Sequence, residues 1–321
     1  MPPDGIQSAT ALVSLDEVRA AAVRIRSVAR KTPLLDVLSG GSGGGLALKC
    51  ESLQPGGAFK IRGACNMIAQ LPPDIRSAGV ITYSSGNHGQ AVARVAGIFH
   101  IPAVIVMPET TPAVKVDGVR RHGAEVVFAG ATSADRKVRA EELATARGLT
   151  IVPPFDHRWI IAGQGTTGLE ILEQRPQARV IYVPVGGGGQ IAGVSAAVKR
   201  MRSHVRVIGV EPVGAARMSA SLRAGHPVTL DRTSSIADGL LTLRPGDLTY
   251  AHVQALVDDV VTVSEEEIVA AVRWLFQEAK LVAEPSGAAA VAAALRAPEP
   301  DAVAIVSGGN VDAAAFAGYI M

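Results

Sequence analysis

Short apolar runs alternate with longer amphipathic segments along most of the chain. The six runs are GVITYS (79–84), AVIVM (103–107), AEVVFA (124–129), VIYVPV (180–185), VRVIGV (205–210) and AVAIV (302–306). Several are nearly free of polar residues, as expected for strands of a parallel sheet that is covered on both faces. The segments between them are rich in alanine and arginine, and two begin with a capping box, Ser14 with Glu17 and Ser264 with Glu267. This alternation predicts an α/β fold with parallel sheets.

Two proline-containing breaks divide the pattern. They lie near Leu71-Pro72-Pro73 and near Pro153-Pro154, and strand–helix units occur between them. We therefore predict a small domain over residues 71–155 and a large domain formed by residues 1–70 and 156–321. The stretch SGGSGGG, residues 39–45, is predicted to be a flexible hairpin loop between short strands.

The composition argues against several classes of protein. Hydrophobic residues make up 48% and charged residues 19% of the 321 positions, which argues against disorder. The net charge is +2 and no basic run occurs, so we expect no nucleic-acid partner. Residues 180–198 carry no charge, but a proline and four glycines interrupt them. They are therefore expected to form a strand, a loop and a helix rather than a membrane span.

The cysteines and the N-terminus favour a cytoplasmic protein. The two cysteines, Cys50 and Cys65, form no CxxC motif, and a secreted disulfide scaffold would carry more. The first ten residues lack the apolar core of a signal peptide. We therefore expect reduced thiols and a cytoplasmic location.

Four consecutive glycines, Gly186–Gly189, follow the predicted strand 180–185. Glycine lets the backbone approach an anion closely, and the next helix offers free N–H groups, so a phosphate is the expected ligand. The loop is not a P-loop, because no GK[ST] follows it. It does satisfy G-x-G-x-x-A, and Glu211 lies at the spacing of a dinucleotide-binding fingerprint. A nicotinamide-dependent oxidoreductase is therefore one hypothesis.

A second loop, SSGNHGQA, begins at Ser84 after the predicted strand 79–84. Its hydroxyl and N–H groups stand at a helix start and suit a carboxylate ligand. Asn87 is also placed to orient a phenolic oxygen. The imidazole of His88 is, by itself, more typical of a supporting residue than of a general base. Ser307, after the predicted strand 302–306, is by itself a common turn residue.

Lys60 differs from the other lysines in its surroundings. It follows Gly56-Gly57 and lies between Phe59 and Ile61 in the stretch ESLQPGGAFKIRGA. Apolar neighbours would desolvate the amine, lower its pKa and make it a nucleophile. A lysine in such a context is also compatible with a purely structural role, so the position alone leaves both interpretations open.

Taken together, the motifs resemble one family. ESLQPGGAFKIRGA, SSGNHGQA, GGGG, AEPSGAAA and SGGN occur in this order, as in the pyridoxal-phosphate enzymes of the threonine dehydratase and serine racemase type. The resemblance runs from about residue 12 to residue 312. It implies the tryptophan-synthase-β-like fold (fold type II), in which two open, twisted parallel-sheet α/β domains with flanking helices hold the cofactor between them. It also implies a homodimer. In that family the lysine that matches Lys60 holds pyridoxal 5'-phosphate as a Schiff base.

The resemblance also implies roles for the other motif residues. Phe59 would lie behind the cofactor ring, Asn87 would bind its 3′-oxygen, and Ser307 would face its pyridine nitrogen. The residues implied to receive the substrate carboxylate are Ser84, Ser85, Gly86, Asn87 and His88. Those implied to surround the cofactor further are Gly186, Gly187, Gly188, Gly189, Gly239 and Glu284.

The activity implied is dehydration of L-threonine or L-serine to a 2-keto acid and ammonia. A serine hydroxyl cannot keep the ring nitrogen protonated as a carboxylate would. The ring is then a weaker electron sink, which favours expelling a β-hydroxyl group. Ser85 stands where serine racemases carry a second catalytic serine, so a racemase or a dual activity is an alternative. Hydroxyaspartate dehydratase is another, and His157, Arg158 and Arg244 are basic residues without an assigned role. A non-catalytic binding protein on this fold is the remaining hypothesis.

The resemblance extends to a metal site, with one departure. Racemase-type enzymes draw ligands from the segment after the strand that carries Glu211. Here Glu211 and Ala215 are retained, but Arg217 stands where those enzymes have an aspartate. We therefore expect a divalent or monovalent cation to be bound weakly or replaced, with the arginine charge taking part of its role.

Overall fold

The computed structural model describes residues 11–37, 45–84, 86–111, 113–130 and 133–321, with only the backbone of Val114, Ser133 and Ala134. Over these ranges, ten strands form two separate sheets and thirteen α-helices pack around them. The predicted α/β fold with parallel sheets is confirmed.

The larger sheet has six strands. They are β1 (Leu34–Asp36), β2 (Leu46–Lys49), β7 (Val180–Pro184), β8 (Arg206–Pro212), β9 (Asp259–Val263) and β10 (Ala302–Ile305). Their order is β1-β2-β10-β7-β8-β9. The pair β1–β2 is antiparallel, and every other neighbouring pair is parallel.

Three strands of this sheet, β7, β8 and β10, match predicted strands. Strands β1 and β2 are the short strands expected on either side of the glycine-rich stretch, of which residues 39–44 lie outside the described ranges. Strand β9 was missed. It lies at the sheet edge and is mostly half-exposed, so its sequence lacks a continuous apolar run.

The smaller sheet has four strands. They are β3 (Val80–Thr82), β4 (Ala103–Met107), β5 (Glu125–Phe128) and β6 (Thr150–Ile151). Their order is β5-β4-β3-β6, and all pairs are parallel. The first three match predicted strands, whereas β6 is too short to give a sequence pattern.

The helices cover both faces of each sheet. They are α1 (Leu15–Ile25), α2 (Lys60–Gln70), α3 (Pro73–Ala78), α4 (Asn87–Phe99), α5 (Ala113–Arg120), α6 (Ser133–Arg147), α7 (Arg158–Gln174), α8 (Gly189–Met201), α9 (Arg217–Ala224), α10 (Asp247–Leu256), α11 (Glu265–Gln277), α12 (Pro285–Arg296) and α13 (Ala313–Ile320). Both predicted capping boxes are present, at the starts of α1 and α11.

Apolar side chains bury both faces of each sheet. Helices α11 and α12 pack on one face of the larger sheet, and α8 and α10 pack on the other. Helix α2 contributes Ile61 and Ile68 to the core of the smaller sheet, together with α4. All four strands of the smaller sheet lie within residues 71–155, but the domain boundaries after residues 70 and 155 stay predictions.

The uncharged residues 180–198 form β7, the glycine turn and most of α8, as the sequence indicated. Over the described ranges, the structure contains no helix with both the length and the apolar character needed to cross a membrane.

Candidate active site

Three predicted loops leave the carboxyl ends of parallel strands. Ser84 follows β3, Gly186 follows β7 and Ser307 follows β10. In open α/β sheets, ligands bind at this edge, because strand ends and helix starts meet there. The fold therefore places these loops where a ligand site is expected.

A glycine turn leads to Lys60 at the same edge. Gly56 and Gly57 have φ angles of +92° and +76°, a left-handed backbone that disfavours other residues, and α2 begins three residues later. The N–H of Phe59 donates to the carbonyl of Ser307 at 3.1 Å. This bond attaches the turn to the loop that follows β10.

The side chain of Lys60 is half-buried, and its amine is bound to the protein. Its Nζ donates to the carbonyl of Pro154 at 2.7 Å and lies 5.1 Å from the centre of the Phe59 ring. Removal from water lowers the pKa of Lys60 from 10.5 to about 8. A substantial neutral fraction at ordinary pH makes this amine a nucleophile and a base.

Asn87, the first residue of α4, is held on both sides of its amide. Its Nδ2 donates to Glu284 Oε1 at 2.6 Å, and its Oδ1 accepts from Asn310 Nδ2 at 2.8 Å. Asn310 also donates to the carbonyl of Gly56 at 2.7 Å. These contacts fix the orientation of the Asn87 amide and leave it one N–H for another partner. The sequence reasoning did not single out Asn310, although it ends the SGGN motif.

Glu284 is buried at the start of α12, with 5% of its surface exposed. Burial raises the pKa of Glu284 from 4.5 to about 8, and the hydrogen bond from Asn87 opposes this shift. A Cβ at Gly308 would lie 2.0 Å from Glu284 Oε1, so only glycine leaves room for the carboxyl group. Near neutral pH this group is therefore mostly protonated.

Glu284 makes the stability of the unliganded protein depend on pH. Between pH 4.5 and about 8, the folded protein binds a proton at Glu284 that the unfolded chain releases. The contribution of Glu284 to the free energy of unfolding therefore falls as pH rises through this window. The side chain of Glu284→Gln cannot titrate. Between about pH 5 and pH 9, the free energy of unfolding of this variant should therefore fall by a few kcal/mol less than that of the parent protein. Thermal unfolding of both proteins at the two pH values measures the difference, and parallel changes would contradict the assignment.

The loop from Ser84 to His88 is described in part. Ser85 lies outside the described residues, so its catalytic role stays a prediction. Gly86 precedes the first turn of α4 and no side chain caps that helix, which leaves its N–H groups to an anion. His88 Nε2 donates to the carbonyl of Val152 at 3.0 Å. Burial lowers the pKa of His88 to about 3, so its ring is neutral and acts as a support.

The glycine loop between β7 and α8 is closely packed. Gly188 has a φ of +96° and no side chain caps α8. A Cβ at Gly187 would lie 2.4 Å from the Phe155 ring, and one at Gly189 would lie 2.9 Å from Phe155 Cβ. Phe155 directly follows Pro154, whose carbonyl holds Lys60. Two consecutive residues therefore connect the lysine with the glycine loop.

Gly239 and Ser307 meet at the start of α12. The N–H of Gly239 donates to Ser286 Oγ at 2.9 Å, and Ser307 Oγ donates to the carbonyl of Ser286 at 3.4 Å. A Cβ at Gly186 would lie 3.2 Å from the carbonyl oxygen of Gly239. Ser286 thus links two of the predicted site residues, Gly239 and Ser307, although the sequence did not single it out.

Glu211, the acidic residue of the dinucleotide fingerprint, is fully buried and already bound. Its two oxygens accept from the N–H groups of Met218 and Ser219 at 2.9 Å each, and Ser219 Oγ adds a third bond at 2.8 Å. The carboxylate is not free to bind a ribose hydroxyl. The observation that favoured a nicotinamide cofactor therefore has another explanation.

The predicted metal ligands, Glu211 and Ala215, face an arginine. Arg217 Nη1 donates to the carbonyl of Ala215 and lies 3.7 Å from Glu211 Oε1. No group of three or more His, Cys, Asp and Glu side chains that could hold a metal occurs in the described ranges. A guanidinium group beside these ligand atoms opposes a divalent ion, so this arrangement does not fit one.

A buried ionic cluster near Lys60 was not predicted. Arg62, two positions after the lysine, donates to Glu51 from Nε and Nη2 at 2.7 Å each, and to Glu170 at 2.7 and 2.8 Å. Lys49 is fully buried and donates to Glu170 at 2.6 Å. We call these four residues the Arg62 cluster. It ties the start of α2 to α7 and β2.

The three basic residues without an assigned role all have partners. Arg158 donates to Glu17 and to the carbonyl of Ala11. Arg244 Nη2 donates to Asp247 Oδ1 at 2.5 Å. His157 is the N-cap of α7 and accepts a backbone N–H through Nδ1. Both arginines are therefore already paired with carboxylates of this chain.

Comparisons with known proteins place these features in context. Residues 25–308 match the model of the family described as pyridoxal-phosphate dependent enzyme. An L-threonine ammonia-lyase of Thermotoga maritima is 43% identical over 306 residues, which cover 94% of this chain and 76% of that protein. A serine racemase of Oryza sativa subsp. indica is 41% identical over 320 residues, covering 96% and 94%. The structure of maize serine racemase superposes with a TM-score of 0.91 at 38% identity, covering 96% of this chain and 97% of that one.

Proposed function

Because the chain belongs to the family of pyridoxal-phosphate dependent enzymes, we propose that it is an ammonia-lyase acting on L-threonine and L-serine. The products would be a 2-keto acid and ammonia. The observation that carries the proposal is the connection between Lys60 and the glycine loop. Lys60 donates to Pro154, and the adjacent Phe155 packs on Gly187. These contacts connect the residue proposed as the covalent anchor with the loop proposed as the phosphate cradle.

The residues present fit pyridoxal phosphate. The amine of Lys60 has a lowered pKa, as attachment to an aldehyde requires. The cradle of Gly187 and Gly188 has no room for a Cβ, and the start of α8 leaves N–H groups for a phosphate. Asn87 retains an amide hydrogen for a ring oxygen, and Ser307 offers its hydroxyl group to a ring nitrogen. Phe59 would lie behind the ring.

Lys60 would move the proton of the reaction. When bound, pyridoxal phosphate supplies an electron sink for the negative charge that develops at the substrate Cα. Lys60 Nζ would accept the proton from the substrate Cα. Its pKa of about 8 leaves enough neutral amine to do so. Loss of this proton and of the β-hydroxyl group as water, followed by addition of water, yields the 2-keto acid and ammonia.

The N-terminus of α4 would receive the substrate carboxylate. Its free N–H groups, at Gly86, Asn87 and His88, carry partial positive charge. His88 would contribute only its backbone, because its ring is bound to Val152. Ser84 precedes these groups and would add a hydroxyl. The carboxylate would thereby orient Cα towards Lys60.

A serine racemase or a dual activity is the second candidate. The similarity to the rice and maize serine racemases supports it, since each is matched over more than nine-tenths of this chain. Racemisation requires a second acid on the opposite face of Cα, and Ser85 is the proposed residue. Hydroxyaspartate is less well supported, because Arg158 and Arg244 are engaged elsewhere.

We also propose a cytoplasmic homodimer with a small hydroxy-amino-acid substrate and no nucleic-acid or membrane partner. The free, buried thiols of Cys50 and Cys65 support a reducing compartment. The homodimer follows from the resemblance, whereas the division into residues 71–155 and the rest follows from the two proline-containing breaks.

A product assay tests the proposal. The purified protein, saturated with pyridoxal phosphate, is incubated with L-threonine, L-serine and D-serine, and 2-keto acid, ammonia and serine enantiomers are quantified. We expect keto acid and ammonia in equal amounts from L-threonine. Accumulation of D-serine from L-serine faster than keto acid would favour the racemase. Absence of all products would contradict both activities.

A further inference from the structure

Arg217 is a fully buried cation directly behind the glycine loop. None of its surface is exposed, and it is among the largest fully buried side chains of the described residues. Burying a guanidinium group costs free energy unless its donors are satisfied. The groups that satisfy Arg217 therefore indicate what its charge does.

The donors of Arg217 go mainly to the glycine loop. Nε donates to the carbonyl of Gly186 at 3.0 Å, and Nη2 donates to the carbonyl of Val185. Nη1 donates to Ala215 and lies 3.7 Å from Glu211 Oε1. Glu211 receives its hydrogen bonds from backbone and serine donors instead. Glu211 therefore balances the charge, while the geometry of Arg217 is set by the loop.

The contacts of Arg217 orient two consecutive peptide units of the loop, and Thr249 holds the next one. In a planar trans peptide, the carbonyl of one residue and the N–H of the next point in opposite directions. Arg217 holds the carbonyls of Val185 and Gly186, so the N–H groups of Gly186 and Gly187 point to the other side. The carbonyl of Gly187 accepts from Thr249 Oγ1 at 2.6 Å, which fixes the orientation of the Gly188 N–H. A series of aligned N–H groups is an anion site.

We propose that Arg217 is the positioning residue of the phosphate cradle and serves as its built-in cation. It fixes the peptide units whose N–H groups would bind the phosphate, and its charge lies behind them. It also occupies the place beside Glu211 and Ala215 for which the resemblance implies a metal. Binding of the cofactor should therefore not depend on a divalent ion. The ligand named here rests on the proposed function.

The test compares anion binding by variants of the unliganded protein. Pyridoxal phosphate is titrated by absorbance, and inorganic phosphate is titrated in parallel by calorimetry. Arg217→Met should weaken both ligands by about tenfold to a hundredfold, as for loss of a charged hydrogen-bonding group. Arg217→Lys keeps the charge but cannot hold both loop carbonyls. Its affinities for the two ligands should therefore lie between those of the parent protein and those of Arg217→Met. Neither EDTA nor Mg²⁺ should change the affinities of the parent protein.

A matched control removes another buried arginine. Arg175 is 8% exposed and pairs with Asp36 and Asp301 at the end of α7. Arg175→Met should lower the melting temperature and leave both affinities unchanged. If Arg217→Met does not fold, the double variant Arg217→Met with Glu211→Gln is compared with the parent protein instead. This variant also removes the charge of Glu211, which Arg217→Met leaves without a partner.

The outcomes separate this inference from the proposed function. Affinities within twofold of the parent in a folded Arg217 variant, or parent affinities that require Mg²⁺, would overturn the inference. A parent protein that binds inorganic phosphate but not pyridoxal phosphate would overturn the proposed cofactor. In that case the loss of phosphate binding in Arg217→Met would still support the role of Arg217 in the loop.

Discussion

Lys60→Ala is expected to reduce 2-keto acid formation from L-threonine by at least about 10⁴-fold. Lys60 is proposed both to anchor the cofactor and to take the Cα proton, and alanine can do neither. The amine is suited to both tasks because burial lowers its pKa to about 8. Initial rates at saturating cofactor and substrate measure the loss. The purified variant should also lack covalently bound cofactor.

Two control variants distinguish loss of the neutral amine from loss of a positive charge or of another lysine. Lys60→Arg keeps a cation but remains protonated at all accessible pH values, so it should be as inactive as Lys60→Ala. Lys31 is exposed and pairs with Glu173, and Lys31→Ala should keep the parent rate. A Lys60→Ala protein that retained more than about a hundredth of the parent rate would contradict the proposed role.

Arg62→Met should lower the free energy of unfolding by about 3–5 kcal/mol. Arg62 is 1% exposed and binds Glu51, which is fully buried, through both carboxylate oxygens. The substitution leaves that carboxylate without its main counter-charge. It also detaches the start of α2 from Glu170. Urea denaturation followed by circular dichroism measures the loss.

Controls separate the loss of a buried partner from the loss of any arginine. Adding Glu51→Gln to Arg62→Met removes the stranded charge and should recover part of the stability. Arg139 forms an exposed pair with Glu142, and Arg139→Met should change stability by no more than about 0.5 kcal/mol. A loss below about 1 kcal/mol for Arg62→Met would show that the cluster is not integral to the fold.

Local pattern was sufficient for most of the strands and for the glycine loop, but it did not show the edge strand β9 or the two-residue strand β6. Buried parallel strands such as β4 and β7 are continuous apolar runs, so each is visible in a few residues. The turn before Lys60 and the loop at Gly188 require positive φ, which the glycines themselves signal. The family resemblance depended on the same short segments and was confirmed by the family match.

Contacts between distant segments could not be predicted in the same way. Arg62 and Glu170 are 108 positions apart, and Arg62 gave no sign in the sequence that it is buried. Asn310 reaches Asn87 across 223 positions, and its role depends on a side-chain orientation that only the fold defines. The resemblance implied that Arg217 stands where racemase-type enzymes have an aspartate. Its hold on the carbonyls of Val185 and Gly186 required the structure.

The most direct test of the central claim is a peptide map after borohydride reduction. The protein is saturated with pyridoxal phosphate, reduced, digested and analysed by mass spectrometry for a pyridoxyl group on lysine. The account predicts modification of Lys60 above all other lysines, and prior addition of L-threonine should lower it. Modification spread over exposed lysines, or concentrated on a lysine other than Lys60, would contradict the account.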